Sequence, residues 1–335
     1  MIEAKPVASL SLDLDNLWSY LKIHGDSGWE LFPSYLDLAV PRALAFLKER
    51  DLTITFFLVG QDVALEKNHR AIRAIAQAGH EIGNHSFHHE SWLHLYSEKE
   101  INEEVARAEQ VIEEVTGVRP IGFRGPGFSY SCSLLQVLAR RGYRYDASTF
   151  PTFLGPIARA YYFMTSNLSK EEREKRKALY GSFRDGLQPL KPFWWKMDCP
   201  QALIEIPVTT MPVFKIPIHF TYILYLSSFS KALAMLYFKT ALWMCKVFGI
   251  QPSLLLHPVD FLGCEDVPEL SFFPGMKLPA YKKLATLGEA IDLLNQQFTI
   301  LPMGEHADLV RETLRLPSLE PRVTNIETQA SPVKL

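Results

Sequence analysis

Two aspartates stand two residues apart at the end of the first alternating segment of the chain. There Leu10, Leu12 and Leu14 share one face, while Ser9, Ser11, Asp13 and Asp15 share the other. Carboxylates this close repel each other, and burying them is costly unless a cation or a proton lies between them. Metal binding by one and base catalysis by the other removes that cost. Capping a strand-to-loop turn is the plainer alternative for an isolated D-x-D. A second cluster, His85-Ser86-Phe87-His88-His89, offers further ligands. His85 and His89 are spaced i,i+4, so a helical turn puts both imidazoles on one side and His88 on the other. Two histidines and one carboxylate leave positions open for water and substrate, as a hydrolytic metal site requires.

Three more segments end in polar groups. Arg124 closes a short apolar run, and Pro126 and Gly127 follow in a tight turn whose amides can face a site. An arginine there can pair with a buried carboxylate and keep it ionised. Asp146 ends Tyr-Arg-Tyr-Asp, and His257 ends three consecutive leucines. An imidazole titrates near neutral pH, which suits a general acid at a strand rim.

The elements that must carry these groups alternate between strand and helix. Strands are expected over Val7–Asp15, Leu52–Gly60, PIGFRG, YRYDAS, ALIEIPVTT, PSLLLHP and FTILPM. Helices are expected through Ala78 with Gly79 as the stop, and from the capping box Ser97/Glu100 to Gly117. Others fall on SLLQVLARRG, roughly Ser228 to Phe248, and PAYKKLATLGEAIDLLNQQ. Such alternation implies a mainly parallel sheet with helices outside, closed or nearly closed as a barrel, whose strand ends converge on the site. One domain is expected over 1–318, with an insertion at about 153–200 and a loose tail over 319–335. Within the insertion, the capping box Ser169/Glu172 opens a charged surface helix to Gly181.

At 335 residues with 47% hydrophobic and 21% charged residues, the chain has the make-up of a folded α/β protein. Thirty-five basic against 37 acidic residues give no reason to expect a nucleic-acid partner. Cys132, Cys199, Cys245 and Cys264 are scattered and read as isolated thiols.

In this order and spacing, the segments resemble the polysaccharide deacetylases of carbohydrate esterase family 4, the NodB-homology domain, across residues 7 to 305. The residues that carry the resemblance are Asp13-Leu14-Asp15, His85-Ser86-Phe87-His88-His89, Arg124-Gly125-Pro126, Asp146 through Phe150, and Leu255-Leu256-His257. The second motif is the most specific. The resemblance implies a distorted (β/α) barrel, mainly parallel strands with outer helices, and a metal-dependent hydrolase that removes acetyl or formyl from an N-acylated amino sugar. It assigns Asp15, His85 and His89 to a divalent metal, zinc first, with cobalt, manganese and nickel as alternatives. Asp13 becomes the base that takes a proton from the attacking water, and Arg124 holds Asp13. His257, oriented by Asp146, protonates the leaving amine. The Gly127 amide and the metal stabilise the oxyanion. Leu255 and Phe150 wall the acyl pocket, with Phe128 supplying the ring that the family usually carries at the Gly127 position. Leu14 between the aspartates is similar to the first motif of deformylases acting on undecaprenyl-linked aminoarabinose. Phe150 stands where tryptophan is common.

The N-terminal MIEAKPVASLSLDLDN has no secretory leader, so a cytoplasmic location is expected, at the inner face of the membrane if a lipid is involved. That favours a nucleotide-linked or lipid-carrier-linked N-acyl sugar. No run reaches 18 apolar residues, so no membrane span is expected. Residues 219–248, apolar with Lys231, Lys239 and Lys246, fit the outer helix of a barrel first and an interfacial helix second. An allantoinase-like or cyclic-imide hydrolase of the same superfamily is the nearest rival, and the long insertion stands against it. A non-catalytic sugar-binding barrel is the other. The presence of Asp13, Asp15, His85, His89 and His257 stands against that one.

Overall fold

The computed structural model describes residues 5–157, 160, 164, 166–168, 183–197 and 202–321. The expected helix at Ser169–Gly181, Cys199 and the chain beyond 321 lie outside the described residues. Strands are β1 (Val7–Asp13), β2 (Thr55–Leu58), β3 (Glu81–Asn84), β4 (Gly122–Phe123), β5 (Tyr145–Asp146), β6 (Phe193–Trp195), β7 (Leu203–Glu205), β8 (Ser253–Leu256), β9 (Thr299–Leu301) and β10 (Ser318–Leu319). Helices are α1 (Leu17–His24), α2 (Leu36–Lys48), α3 (Gly60–Val63), α4 (His69–Gln77), α5 (Glu98–Thr116), α6 (Cys132–Arg140), α7 (Phe220–Ser227), α8 (Lys231–Val247), α9 (Ala280–Gln297) and α10 (Met303–Thr313).

All strands join one sheet in the order β10-β6-β7-β5-β4-β3-β2-β1-β8, with β9 also on β1; every pairing is parallel except β6 with β7. The sheet curls without closing, because β10 and β8 end its path among the described residues. The expected barrel is therefore an open one. Leu319, where the tail was expected to begin, belongs to a strand. Backbone groups of Trp194 and Lys196 bond to Pro317 and Leu319, so Ser318–Leu319 extends the edge beside β6.

Register explains which side chains reach the site. On β1, Leu10 and Leu12 enter the large core with Phe56, Leu254 and Leu256. Ser11 and Asp13 therefore face the concave side, where Thr55, Phe57 and Leu255 are their partners in register. That concave side is filled by α10. Its first amides donate to sheet side chains, Met303 N–H to Thr55 Oγ1 at 2.8 Å and Gly304 N–H to Glu81 Oε2 at 2.8 Å. Donors that would be orphaned at a helix start are thus satisfied, with a carboxylate at the positive end of the helix. Met303, Ala307 and Val310 pack on Phe57, Tyr145 and Ile204.

Gly83 on β3 sits opposite Phe57, and a Cβ at that position would overlap the Phe57 ring. That ring in turn carries the guanidinium of Arg124, 4.4 Å from its centroid. Gly83→Ala is expected to destabilise the fold by about 1–3 kcal/mol through overpacking. Urea unfolding measures it, and an unchanged midpoint would contradict this account of the concave face.

Candidate metal centre

Asp13 is the last residue of β1, and its carboxylate meets Arg124 Nη1 at 2.6 Å. Arg124 is fully buried; it also donates to Ser11 Oγ at 2.7 Å and to the Ala147 carbonyl at 3.0 Å. Two residues on, Asp15 lies 2.9 Å from His89 Nε2 and 3.5 Å from His85 Nε2 through its Oδ1 atom. Ligand atoms of Asp15, His85 and His89 all fall within 4.8 Å of one another. Yet Asp15 Oδ1 is buried and makes no aligned hydrogen bond. Burial alone would raise the Asp15 pKa. When both imidazoles are protonated, their charges and hydrogen bonds outweigh it and hold the carboxyl well below its usual range.

The ligand set fits a divalent cation. His85 Nδ1 lies 2.6 Å from the Arg124 carbonyl, which fixes the proton on Nδ1 and leaves the Nε2 lone pair facing Asp15. The turn after β1 is pinned from behind. Tyr35 donates to the Asp15 carbonyl at 2.6 Å, and Asn16 donates to Asp62 at 2.7 Å. Burial pushes Asp62 up to about 7, with Asn16 and Trp18 as its donors.

The i,i+4 histidines do not lie on a helical turn as expected. They follow β3 in an irregular loop in which Ser86 (φ 61°) and His89 (φ 54°) are left-handed. Glu104 of α5 holds that loop, accepting the amides of Phe87 and His88 and the His88 ring. His88 thus points away from Asp15.

Beyond Arg124, Gly127 (φ 60°) and Phe128 (φ 59°) form a tight turn. The Phe128 and Phe150 rings lie 4.7 Å apart, Phe150 lies 6.0 Å from His219, and His219 lies 6.2 Å from His257. Leu255 shares the concave face with Ser11. Tyr20 is buried within electrostatic reach of Asp15, Asp260 and Asp13, which links the His257 turn to the aspartate pair.

Asp146 does not orient His257. Its oxygens meet Ser148 and Glu205, and Glu205 also accepts from the Thr149 hydroxyl at 2.6 Å and from Trp195 Nε1 at 2.9 Å. His257 is held instead by Thr221, whose Oγ1 lies 2.9 Å from Nδ1, and its N–H donates to Asp260 at 2.8 Å. Thr221 bonds to Asp260 as well. The physical reason is topological. β5 pairs with β7, which places Glu205 beside Asp146, whereas His257 opens a turn that folds back on its own Asp260.

Comparisons with known proteins show what the chain is similar to. The family model for polysaccharide deacetylases matches residues 26–145. The peptidoglycan deacetylase of Helicobacter pylori is 25% identical over 173 residues, 50% of this chain and 57% of that protein. PdaA of Bacillus subtilis, a peptidoglycan-N-acetylmuramic acid deacetylase, is 31% identical over 31% of this chain and 39% of its own. The alignments thus span little more than half the length of such relatives at most. A crystal structure of a candidate polysaccharide deacetylase from Mycobacterium smegmatis superimposes with a TM-score of 0.62 at 22% identity, covering 97% of this chain and 96% of that one. The chain is similar to the polysaccharide deacetylase family over residues 26–145, and its fold is that of the M. smegmatis structure.

Within the family match fall His85, His89 and Arg124, while Asp13, Asp15, Asp146 and His257 lie outside it. The M. smegmatis likeness carries the fold over nearly the whole chain. The residues that sequence reasoning missed are Thr221, His219, Asp260 and Glu205. Asp260 was findable, because His257-Pro-Val-Asp260 has capping-box spacing. Thr221 and His219 lie in an apolar stretch with no local signal.

Asp146 Oδ2 is buried with no donor unless Glu205 supplies a proton to it. Burial, then the Asp146 charge, raises the Glu205 pKa well above its usual 4.5. A carboxyl raised in the folded state contributes stability that is complete below its unfolded pKa and is lost as pH rises through the folded value. The melting temperature should therefore fall as pH rises from about 4.5 upward. Glu205→Gln should flatten that dependence. A variant as steep as the parent would exclude the shared proton.

Proposed function

We propose that the protein is a divalent-metal-dependent hydrolase that removes the acyl group from an N-acylated amino sugar. One observation carries the reading. The ligand atoms of Asp15, His85 and His89 converge within 4.8 Å of one another, with Asp15 Oδ1 2.9 Å from His89 Nε2, two residues on from an Asp13 already neutralised by Arg124. A divalent cation held there, zinc first, would make a water acidic and polarise the acyl carbonyl.

The chain's own groups supply the remaining steps. Asp13, held by Arg124, accepts the proton of the attacking water. Hydroxide oxygen bonds to the acyl carbon, the carbon–nitrogen bond breaks, and His257 gives a proton to the departing amine. The products are a free amino sugar and a small carboxylic acid. Thr221 can donate to Asp260 while its oxygen accepts from His257 Nδ1, which leaves Nε2 for the amine. Asp260 then stabilises the ring when both nitrogens carry protons. The Gly127 amide is assigned to the oxyanion. Phe128, Phe150 and Leu255 wall the acyl group.

Relatives that match parts of the chain are peptidoglycan deacetylases, which supports acetyl as the acyl group and an N-acetylated amino sugar as its bearer. A nucleotide or lipid carrier is the finer proposal for what that sugar is attached to. The metal-loaded protein should release acetate or formate from N-acyl amino sugars in a mass-spectrometric screen that includes oligosaccharide, nucleotide-linked and polyprenyl-linked forms. Turnover of allantoin, with every N-acyl sugar left intact, would replace this reading.

Asp13→Asn should retain stoichiometric metal while kcat falls by about two to four orders of magnitude, the usual worth of a general base. His85→Ala should lose the metal, read by elemental analysis. A fully active Asp13→Asn protein would remove Asp13 from the mechanism. Thr221→Val should keep metal and KM, lower kcat by roughly tenfold or more, and move the alkaline limb of the rate profile to lower pH. Thr221→Ser should restore both, and an unshifted profile would leave Thr221 a merely structural residue.

A further inference from the structure

Helix α8 serves two faces. Ala234, Phe238, Ala241, Leu242 and Cys245 pack into the core, as an outer helix of a curled sheet should. The opposite face is also apolar. Leu233, Leu236, Trp243 and Val247 are each 60–67% exposed and, with Thr240, follow helical spacing along one stripe about 21 Å long. Phe229, just before the helix, is 74% exposed. Large side chains aligned this way on a water-facing surface mark a contact surface.

Charge indicates what covers it. Between Glu205 and Asp260 there is no acidic residue, while Lys215, Lys231, Lys239 and Lys246 fall in the same stretch. Lys231 is paired with Glu289 at 2.6 Å, and Lys239 and Lys246 lie exposed along one edge of the stripe. A second, related surface stands beside it. The loop between Thr210 and Pro217 holds Val213 and Phe214 at 62% and 59% exposure, next to Lys215. Tyr237 of α8 ties that loop down by donating to the Pro217 carbonyl at 2.9 Å. The same loop is bound to the rim of the candidate site, because Thr152 donates to the Lys215 carbonyl at 2.8 Å.

We propose that the α8 stripe, with Phe229 and the Val213–Phe214 loop, docks on an anionic lipid bilayer, lying in the plane of its surface. Apolar and aromatic side chains enter the headgroup–acyl boundary, and Lys239 and Lys246 meet the anionic headgroups. No helix of the described residues is long and apolar enough to cross a membrane, so the contact is peripheral. A second copy of the chain fits this stripe poorly. A two-fold contact would set its lysines against the same lysines, with no acid on the stripe to receive them.

The partition test uses the full chain and no substrate, so its outcome is separate from that of the hydrolase reading, and hydrolysis serves only as a control on the variants. In flotation assays the protein should partition onto vesicles of phosphatidylcholine with roughly a third phosphatidylglycerol, and far less onto phosphatidylcholine alone. Lys239→Glu with Lys246→Glu should weaken partition by at least about tenfold, since each surface lysine is worth roughly a fivefold factor. Leu236→Ser with Trp243→Ser should abolish it. Both variants should keep the parental melting temperature and their hydrolysis of a soluble N-acyl sugar. Absence of partition onto anionic vesicles overturns the proposal. So does a parent protein that is dimeric by light scattering and becomes monomeric in Leu236→Ser with Trp243→Ser, which would assign the stripe to a second copy.

Discussion

Two carboxylates buried side by side set the terms for everything around them. Asp13 is neutralised by Arg124, and a buried guanidinium is tolerated only because its donors find Asp13, Ser11 and the Ala147 carbonyl while its flat face lies over Phe57. Those partners come from β1, β2 and the segment after β5, so one side chain ties the strands that hold the site. Removing either member of such a pair typically costs about 3–5 kcal/mol, since the other is left charged in a dry interior. Asp15 remains a further negative charge, its Oδ1 2.9 Å from His89 Nε2 and 3.5 Å from His85 Nε2. That remainder is what makes the place suited to a cation.

Backbone strain concentrates where these groups meet. Ser86, His89 and Phe128 have left-handed φ angles without being glycine, conformations that persist only when their surroundings enforce them. The enforcement is visible. The Ser86 amide donates to Asn84 Oδ1 at 2.8 Å, the next two amides donate to Glu104, and His85 is fixed by the Arg124 carbonyl. The loop is bent by anchors on β3, α5 and the segment after β4. Those anchors aim its histidines at Asp15.

Much of this was legible in the chain. Alternation on β1 put Asp13 and Asp15 on one face, and the capping box at Ser97/Glu100 with Gly117 placed α5. The parallel, curled sheet followed from the alternation of strands and helices. Three things were not legible, each for a reason. The spacing of His85 and His89 is the same for a helical turn and for a loop with two left-handed residues, so ligand pairing was readable but its backbone was not. Strands β6 and β10, only three and two residues long, were not expected, because they are defined by their neighbours and not by local propensity. The support for His257 depends on which strands lie side by side. β7 brings Glu205 to Asp146, and α7 brings Thr221 to His257, neither of which any local pattern encodes.

That last exchange changes how the two ends of the site are built. The metal end rests on β1, β3 and the turn after β4, all inside the sheet. The His257 end rests on Thr221, the second residue of α7, and on Asp260, in the turn that His257 itself opens. Helix α7 runs directly into α8, and Tyr237 of α8 ties down the loop that leads back to the site rim. His257 is therefore held by the same helical pair whose outer face is apolar. If that face is seated on a bilayer, as proposed, the membrane-facing surface and His257 are joined by one short helix. A carboxylate orienting His257 from the sheet would lack that connection, and Asp146 is instead set beside Glu205 by the pairing of β5 with β7.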